Sequence, residues 1–199
     1  TDCRITAGLN IANDASDTVT FDKVRPVAIE PAPHDFDLAT LLLMGGVARS
    51  LQIAGALESM LEISVGYANE RIAFEKKIAK FQAVQHNLAK LAGEAAAALA
   101  AASSAADAIA NTAKFDDAIF LETVSAKIRC AEAAEKGAAI AHQVHGAIGF
   151  TEEHVLHRFT LRAMGWRDDF GNESHWAVEL GNMIAARGAD ELWPLVASR

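Results

Sequence analysis

GYANERIAFEKKIAKFQAVQHNLAKLA, residues 66–92, is where one helical pattern ends and the next begins. Before it, Leu38, Leu41, Leu42, Ile53, Leu57, Met60, Leu61 and Tyr67 recur at three- and four-residue steps, which predicts a helix from Asp35 onward. Within it, a second helix is expected from about Ile78 to Ala110, with Phe81, Val84, Leu88, Leu91 and Leu99 on one face and Asn111-Thr112 as its turn and cap. A third is expected from about Lys114 to His145, carrying Phe115, Ile119, Val124, Ile128 and Val144, with Gly146 and Gly149 stopping it. Thr151 reads as the cap of a short helix opening on Glu152-Glu153, whose charges suit an N-terminus. A last helix runs from about Asn172 to Ala186 and closes at Arg187-Gly188. Helices of about 30 residues span roughly 45 Å. Joined by short turns, they predict an all-α fold, an antiparallel four-helix bundle over residues 34–199.

Two features inside the helices stand out. Gly45-Gly46 marks a kink, a break, or a close approach to the backbone. Alanine crowds the second and third helices, which permits close packing or simply reflects helix propensity. Ala92–Ala110 is interrupted by Glu94 and Asp107, so it reads as a packed helix and not a membrane span.

Residues 1–33 have another texture. Pro26, Pro31 and Pro33 cluster there, Val19-Thr20-Phe21 is β-prone, and residues 10–17 are rich in turn formers. They read as a β remnant and a Pro-rich linker, because a two-stranded piece is marginal by itself. Thr1–Asn10 carries Asp2 and Arg4 and lacks the apolar core of a signal peptide. Cys3 and Cys130 are far apart and form no CxxC, so a disulfide scaffold is excluded and a cytoplasmic location is expected. Apolar residues make up 51% of the 199 positions, enough to build a core, and the net charge of −8 has the wrong sign for coating nucleic acid.

Few constellations carry chemistry. A carboxylate-bridged di-iron site needs Glu-x-x-His on two helices, and no His here has Glu three residues before it. His142/His145 and His154/His157 share the spacing of one helix face, yet no Cys or carboxylate cluster accompanies them, so no metal is expected. Arg71 stands at a helix end, where a guanidinium can meet a pyrophosphate or simply face solvent. Gly146 and Gly149 admit a ligand or another chain, or simply cap a helix.

Taken together, residues 66–92 and QVHGAIGFTEEHVLHRFTLRA, residues 143–163, resemble the C-terminal helical domain of the acyl-CoA dehydrogenase family. The motif residues here are Tyr67, Arg71, Phe74-Glu75, Phe81-Gln82, Gln143, Gly146-Ala147, Gly149-Phe150, Arg158 and Arg162, and the resemblance covers nearly all of residues 35–199. TVTFDKVRPVAIEP looks like the end of the family's middle β-domain. A complete member has an N-terminal helical domain and a whole β-domain ahead of this point, so a longer polypeptide is expected. The resemblance implies FAD, held at its pyrophosphate or adenosine part by Arg71, Phe74, Gln82 and Gln143, with Gly146 permitting close backbone approach. It implies an acyl-CoA substrate, a homo- or hetero-oligomer formed through the bundle, and electron-transfer flavoprotein as acceptor. Glu75 and Ala147 stand where the family has glycine.

The family reaction removes the proton α to the thioester carbonyl with a carboxylate and passes hydride from the β carbon to the flavin. The family places that Glu either after the Arg-rich helix, which falls here on Phe170 or Gly171, or early in the first helix, which falls near Gly45. Neither position carries an acid. Three readings stay open: Asp169 or Glu173 as a displaced base, the chain as the non-catalytic subunit of a heteromeric dehydrogenase, or a relative with monooxygenase or oxidase chemistry.

Overall fold

The computed structural model describes residues 3–33, 36–111 and 114–197. Strand β1, Cys3–Thr6, pairs antiparallel with β2, Thr18–Phe21, with Cys3 opposite Phe21 and Thr6 opposite Thr18. Asn10 shapes the connecting loop: its Oδ1 accepts from the Ala12 and Asp14 amides. Arg162 then grips Asp14 through two hydrogen bonds of 3.0 and 2.8 Å, docking this hairpin on the helices.

Helix α1, Leu38–Glu70, starts at Asp37, whose carboxylate accepts from the Thr40 amide at 2.8 Å. It runs unbroken through Gly45-Gly46, so of the three readings for that pair only close approach holds. The second helix does not begin at Ile78. Ile72–Ala73 (β3) and Lys76–Lys77 (β4) form a small hairpin, a 3₁₀ turn spans Ile78–Lys80, and α2 covers Gln82–Ala110. Phe74 and Glu75 at the tip both have positive φ, 51° and 64°, the pairing a tight two-residue hairpin turn requires.

Helix α3, Asp117–His145, is capped by Asp116, which accepts from the Ala118 and Ile119 amides, so it starts three residues after Lys114. Part of the expected Asn111-Thr112 turn lies outside the described residues; Asn111 itself closes α2 onto Asp107. Gly146 ends α3 with φ 67° and a 3₁₀ turn follows to Phe150. Thr151 caps no helix at Glu152. Its hydroxyl donates back to Ile148 O at 2.8 Å, and α4 begins only at Leu156, whose amide donates to His154 Nδ1. Helix α4 spans Leu156–Asp168, α5 spans Glu173–Arg187 with Asn172 as its cap, and α6 covers Leu192–Ala197.

Helices α1, α2 and α3 pack on one another up and down, with α4 lying across α1 and α3 and α5 against α3. This is the expected all-α antiparallel bundle behind a short β-hairpin. Ile53, Leu57 and Met60 of α1 are fully enclosed, so the one described helix long and apolar enough to cross a membrane is the central element of the bundle core. The buried row of α2 is Leu91, Ala95, Ala98, Ala102 and Ala105. Leu99, expected on that face, is partly exposed, because the seam is built from the small residues. At Gly137 a methyl group would overlap Leu57 and crowd Leu91, so this glycine lets both leucines reach α3.

Candidate functional site

Two regions of the bundle bear on function. At one end, α1 and α3 finish together: the Tyr67 ring stacks on His145 with centroids 4.4 Å apart. The α2 helix starts at this same end, after the β3–β4 hairpin is tied by the Ile78 amide to Arg71 O at 2.9 Å. Arg71, Phe74, Gln82, Gln143 and Gly146 therefore share one end of the molecule, and all five are exposed. The Arg71 amide closes α1 onto Tyr67 O at 2.9 Å, and its residue lies just past the helix. Phe74 is 89% exposed at the hairpin tip and meets Phe81 edge-on. A Cβ built at Gly146 would find nothing within 4 Å, which leaves its backbone open to a ligand.

This donor set suits a flavin's pyrophosphate. One guanidinium, two amides and an uncovered glycine backbone face the same end, and Lys76, over the Phe81 ring at 4.3 Å, adds positive charge. Glu75 at the tip is the opposing carboxylate; its φ of 64° is the conformation for which glycine is the ordinary residue.

Beneath this end lies an imidazole cluster. His145 Nδ1 donates to Ala141 O at 2.8 Å, and His142 Nε2 donates to Thr160 Oγ1 at 3.1 Å, since that hydroxyl donates onward to His157 O. The His154 ring sits 4.7 Å from His145. Burial holds both His142 and His145 below the usual imidazole pKa, each reinforced by a neighbouring His. Among the described residues no group of three His, Cys, Asp or Glu is arranged to hold a metal ion.

The other region lies near the start of α1, about 26 residues and roughly 39 Å along the helix from Arg71. Gly45 and Phe170, separate in sequence, touch here. A Cβ at Gly45 would come within 2.6 Å of Phe170 Cγ, so ring and side chain cannot share the space. Asp169 pairs with Arg49 at 2.8 Å, and Glu173 accepts from Arg167 Nε at 2.9 Å. The Arg167 hydrogen bond holds the Glu173 carboxyl below its usual pKa. Both candidate bases are thus bound as ion-pair partners.

Sequence reasoning missed Lys127 and Arg49. Lys127 is 1% exposed and donates to Trp166 O at 2.9 Å and Arg167 O at 2.8 Å. Burial pushes its pKa down to about 8, against the pull of Asp169, Cys130, Asp168 and Glu173. Its signal was present: a lone cation in the apolar row Val124, Lys127, Cys130, Ala131, Ala134 of α3.

Residues 38–172 match the family model for the acyl-CoA dehydrogenase C-terminal domain. The chain belongs to the acyl-CoA dehydrogenase family. It is 33% identical over 135 residues to acyl-CoA dehydrogenase IpdE2 of Mycobacterium tuberculosis, covering 68% of this chain and 38% of that protein. The Tcur3481–Tcur3483 steroid acyl-CoA dehydrogenase superposes with a TM-score of 0.79 at 25% identity, over 94% of this chain and 49% of that one. The ChsE4–ChsE5 complex of Mycobacterium tuberculosis shares the fold, with a TM-score of 0.74 at 22% identity over 94% and 50% of the two chains. The chain therefore spans about half the length of these structures and less of the curated relative.

Proposed function

We propose that this chain is the helical half of an FAD-dependent acyl-CoA dehydrogenase that oxidises the α,β bond of an acyl-CoA thioester, and that the catalytic carboxylate comes from a partner subunit. One observation carries the reading. The two positions at which the family places its base, Gly45 and Phe170-Gly171, meet in space, and an aromatic ring fills the junction. Asp169 and Glu173, the nearby acids, are engaged in ion pairs with Arg49 and Arg167.

In this reading residues 1–33 are the tail of a β-domain and 34–199 the bundle domain. When bound, FAD supplies the hydride acceptor. Arg71, Phe74, Gln82 and Gln143 would hold its pyrophosphate or adenosine part, with the Arg71 guanidinium suited to the pyrophosphate, and Gly146 would let the backbone come close. Electron-transfer flavoprotein takes the electrons, in a cytoplasmic setting where Cys3 and Cys130 stay free. Two relatives that are two-protein assemblies, one of them a steroid dehydrogenase, support a hetero-oligomer acting on a bulky acyl group.

The test is visible absorbance of the protein purified with its co-purifying subunit, followed by anaerobic addition of straight-chain and steroid side-chain acyl-CoA. Flavin that bleaches only with the second subunit present is the expected result. Bleaching by this polypeptide alone overturns the partner's role and returns Asp169 and Glu173 as bases. Absence of flavin from the assembly overturns the FAD assignment.

A further inference from the structure

We propose that the turn Asp168–Gly171 is a latch that holds the Phe170 ring down on Gly45, and that buried Lys127 is its positioning residue. The turn is strained where it matters. Phe170 has φ 57°, a left-handed conformation that a bulky side chain disfavours, and Gly171 follows at φ 90°. Such a backbone persists only where its surroundings over-determine it. Here three separate devices converge. Trp176 Nε1 donates to Phe170 O at 3.0 Å from α5. Arg49 on α1 pairs with Asp169 at 2.8 Å and sets its guanidinium 6.0 Å from the Phe170 ring and 5.9 Å from that of Trp166. Lys127 on α3 donates to the Trp166 and Arg167 carbonyls, two of those that the end of α4 leaves unpaired.

The third device is the informative one. A cation 1% exposed is an expensive way to fill space that methionine would fill. What Lys127 does that methionine cannot is anchor the last turn of α4, at carbonyls three and four residues before the strained Phe170. Gly45 completes the latch, because any side chain there would displace the ring. The significance of the inference rests on the proposed function: the volume over Gly45 is where an acid would otherwise stand. Replacing the missing acid is then insufficient for turnover while Phe170 remains seated.

The test uses protein labelled with [15N]glycine, which has only 13 glycine signals to assign. The Gly45 amide lies beside an aromatic ring and carries its ring-current shift. F170A defines the open position of that signal. K127M is expected to move Gly45 more than half of the way to the F170A position, with Gly137 and Gly146 unmoved. W176F, which keeps an aromatic ring and removes the donor to Phe170 O, is expected to move it in the same direction and serves alone if K127M does not fold. A Gly45 signal that stays at its wild-type position in a folded K127M, or in W176F when that is the variant available, overturns the latch. So does a signal that F170A leaves unchanged. None of these outcomes depends on flavin or acyl-CoA, so the latch and the proposed function fail separately.

Discussion

The two ends of α1 are built on opposite principles. Around Arg71 the chain presents donors and an uncovered glycine, and its side chains point to solvent. Around Gly45 the carbonyls and carboxylates are engaged, by Lys127, Arg49, Arg167 and Trp176, and the space is filled by a ring. An end that keeps its hydrogen-bonding capacity unspent is equipped to bind; an end that spends it internally is equipped to hold a shape. A single helix thus links a receptive surface to a rigid one.

The largest effect should come from the receptive end, and without loss of stability. If Arg71 holds the flavin pyrophosphate as proposed, Arg71→Ala should cost about 1.5–3 kcal/mol, roughly a 10- to 100-fold loss of flavin affinity. Thermal unfolding of the flavin-free protein should not move, since the residue lies past the helix and is exposed. Unchanged flavin content in Arg71→Ala removes this residue from the site.

The rigid end should respond in the opposite way. Gly45→Ala forces ring and methyl together and should destabilise by about 1–3 kcal/mol in urea unfolding. In a Phe170→Ala background the same substitution should cost little, because the obstacle is gone. Equal costs in both backgrounds would mean that the ring is not what Gly45 accommodates.

The buried titratable groups give each region its own pH signature. Lys127 has a pKa of about 8 when folded, below its value of about 10.4 in an unfolded chain. The unfolded state then binds more protons between those values, so stability should rise with pH across that window, by roughly 3 kcal/mol in total from this group. Lys127→Met should flatten that rise. His142 and His145 are also held below the ordinary imidazole value, so here stability should fall as pH drops below about 6.5. Measuring melting temperature from pH 5 to 10 separates the two, since His145→Leu should blunt only the acid limb.

The helices were legible because caps and periodicity are local. Asn172 was the expected start of the last helix and is its cap, while Asp37 and Asp116, each two residues past the expected starts at Asp35 and Lys114, accept from amides of the first turn. The β3–β4 hairpin was not legible, since Phe74-Glu75 lacks the Asn or Gly that marks such a turn. The α2 seam was misread because a search for large apolar residues finds Leu99 and passes over Ala95, Ala98 and Ala102. The residues at the receptive end followed from motif order alone. The contact of Phe170 with Gly45 is a tertiary fact with no local trace, even though both residues had been singled out separately.

The smallest effect concerns how the β-hairpin is attached to the helices. Asp14 and Arg162 form a bidentate pair, and the arginine's hydrogen bond holds the Asp14 carboxyl below its usual pKa. Both side chains are substantially exposed, so water and salt screen the pair and its net contribution to stability is slight. Its geometry still matters, because it anchors the loop between β1 and β2 against α4, where Asn10 and Ile11 also pack over Gly165. Asp14→Ala should therefore leave the melting temperature nearly unchanged while raising the rate at which protease cuts near residues 10–14. If cleavage there is no faster, the Asn10 and Ile11 packing is sufficient to hold the hairpin, and the attachment rests on shape, as the Gly45 corner does, more than on charge.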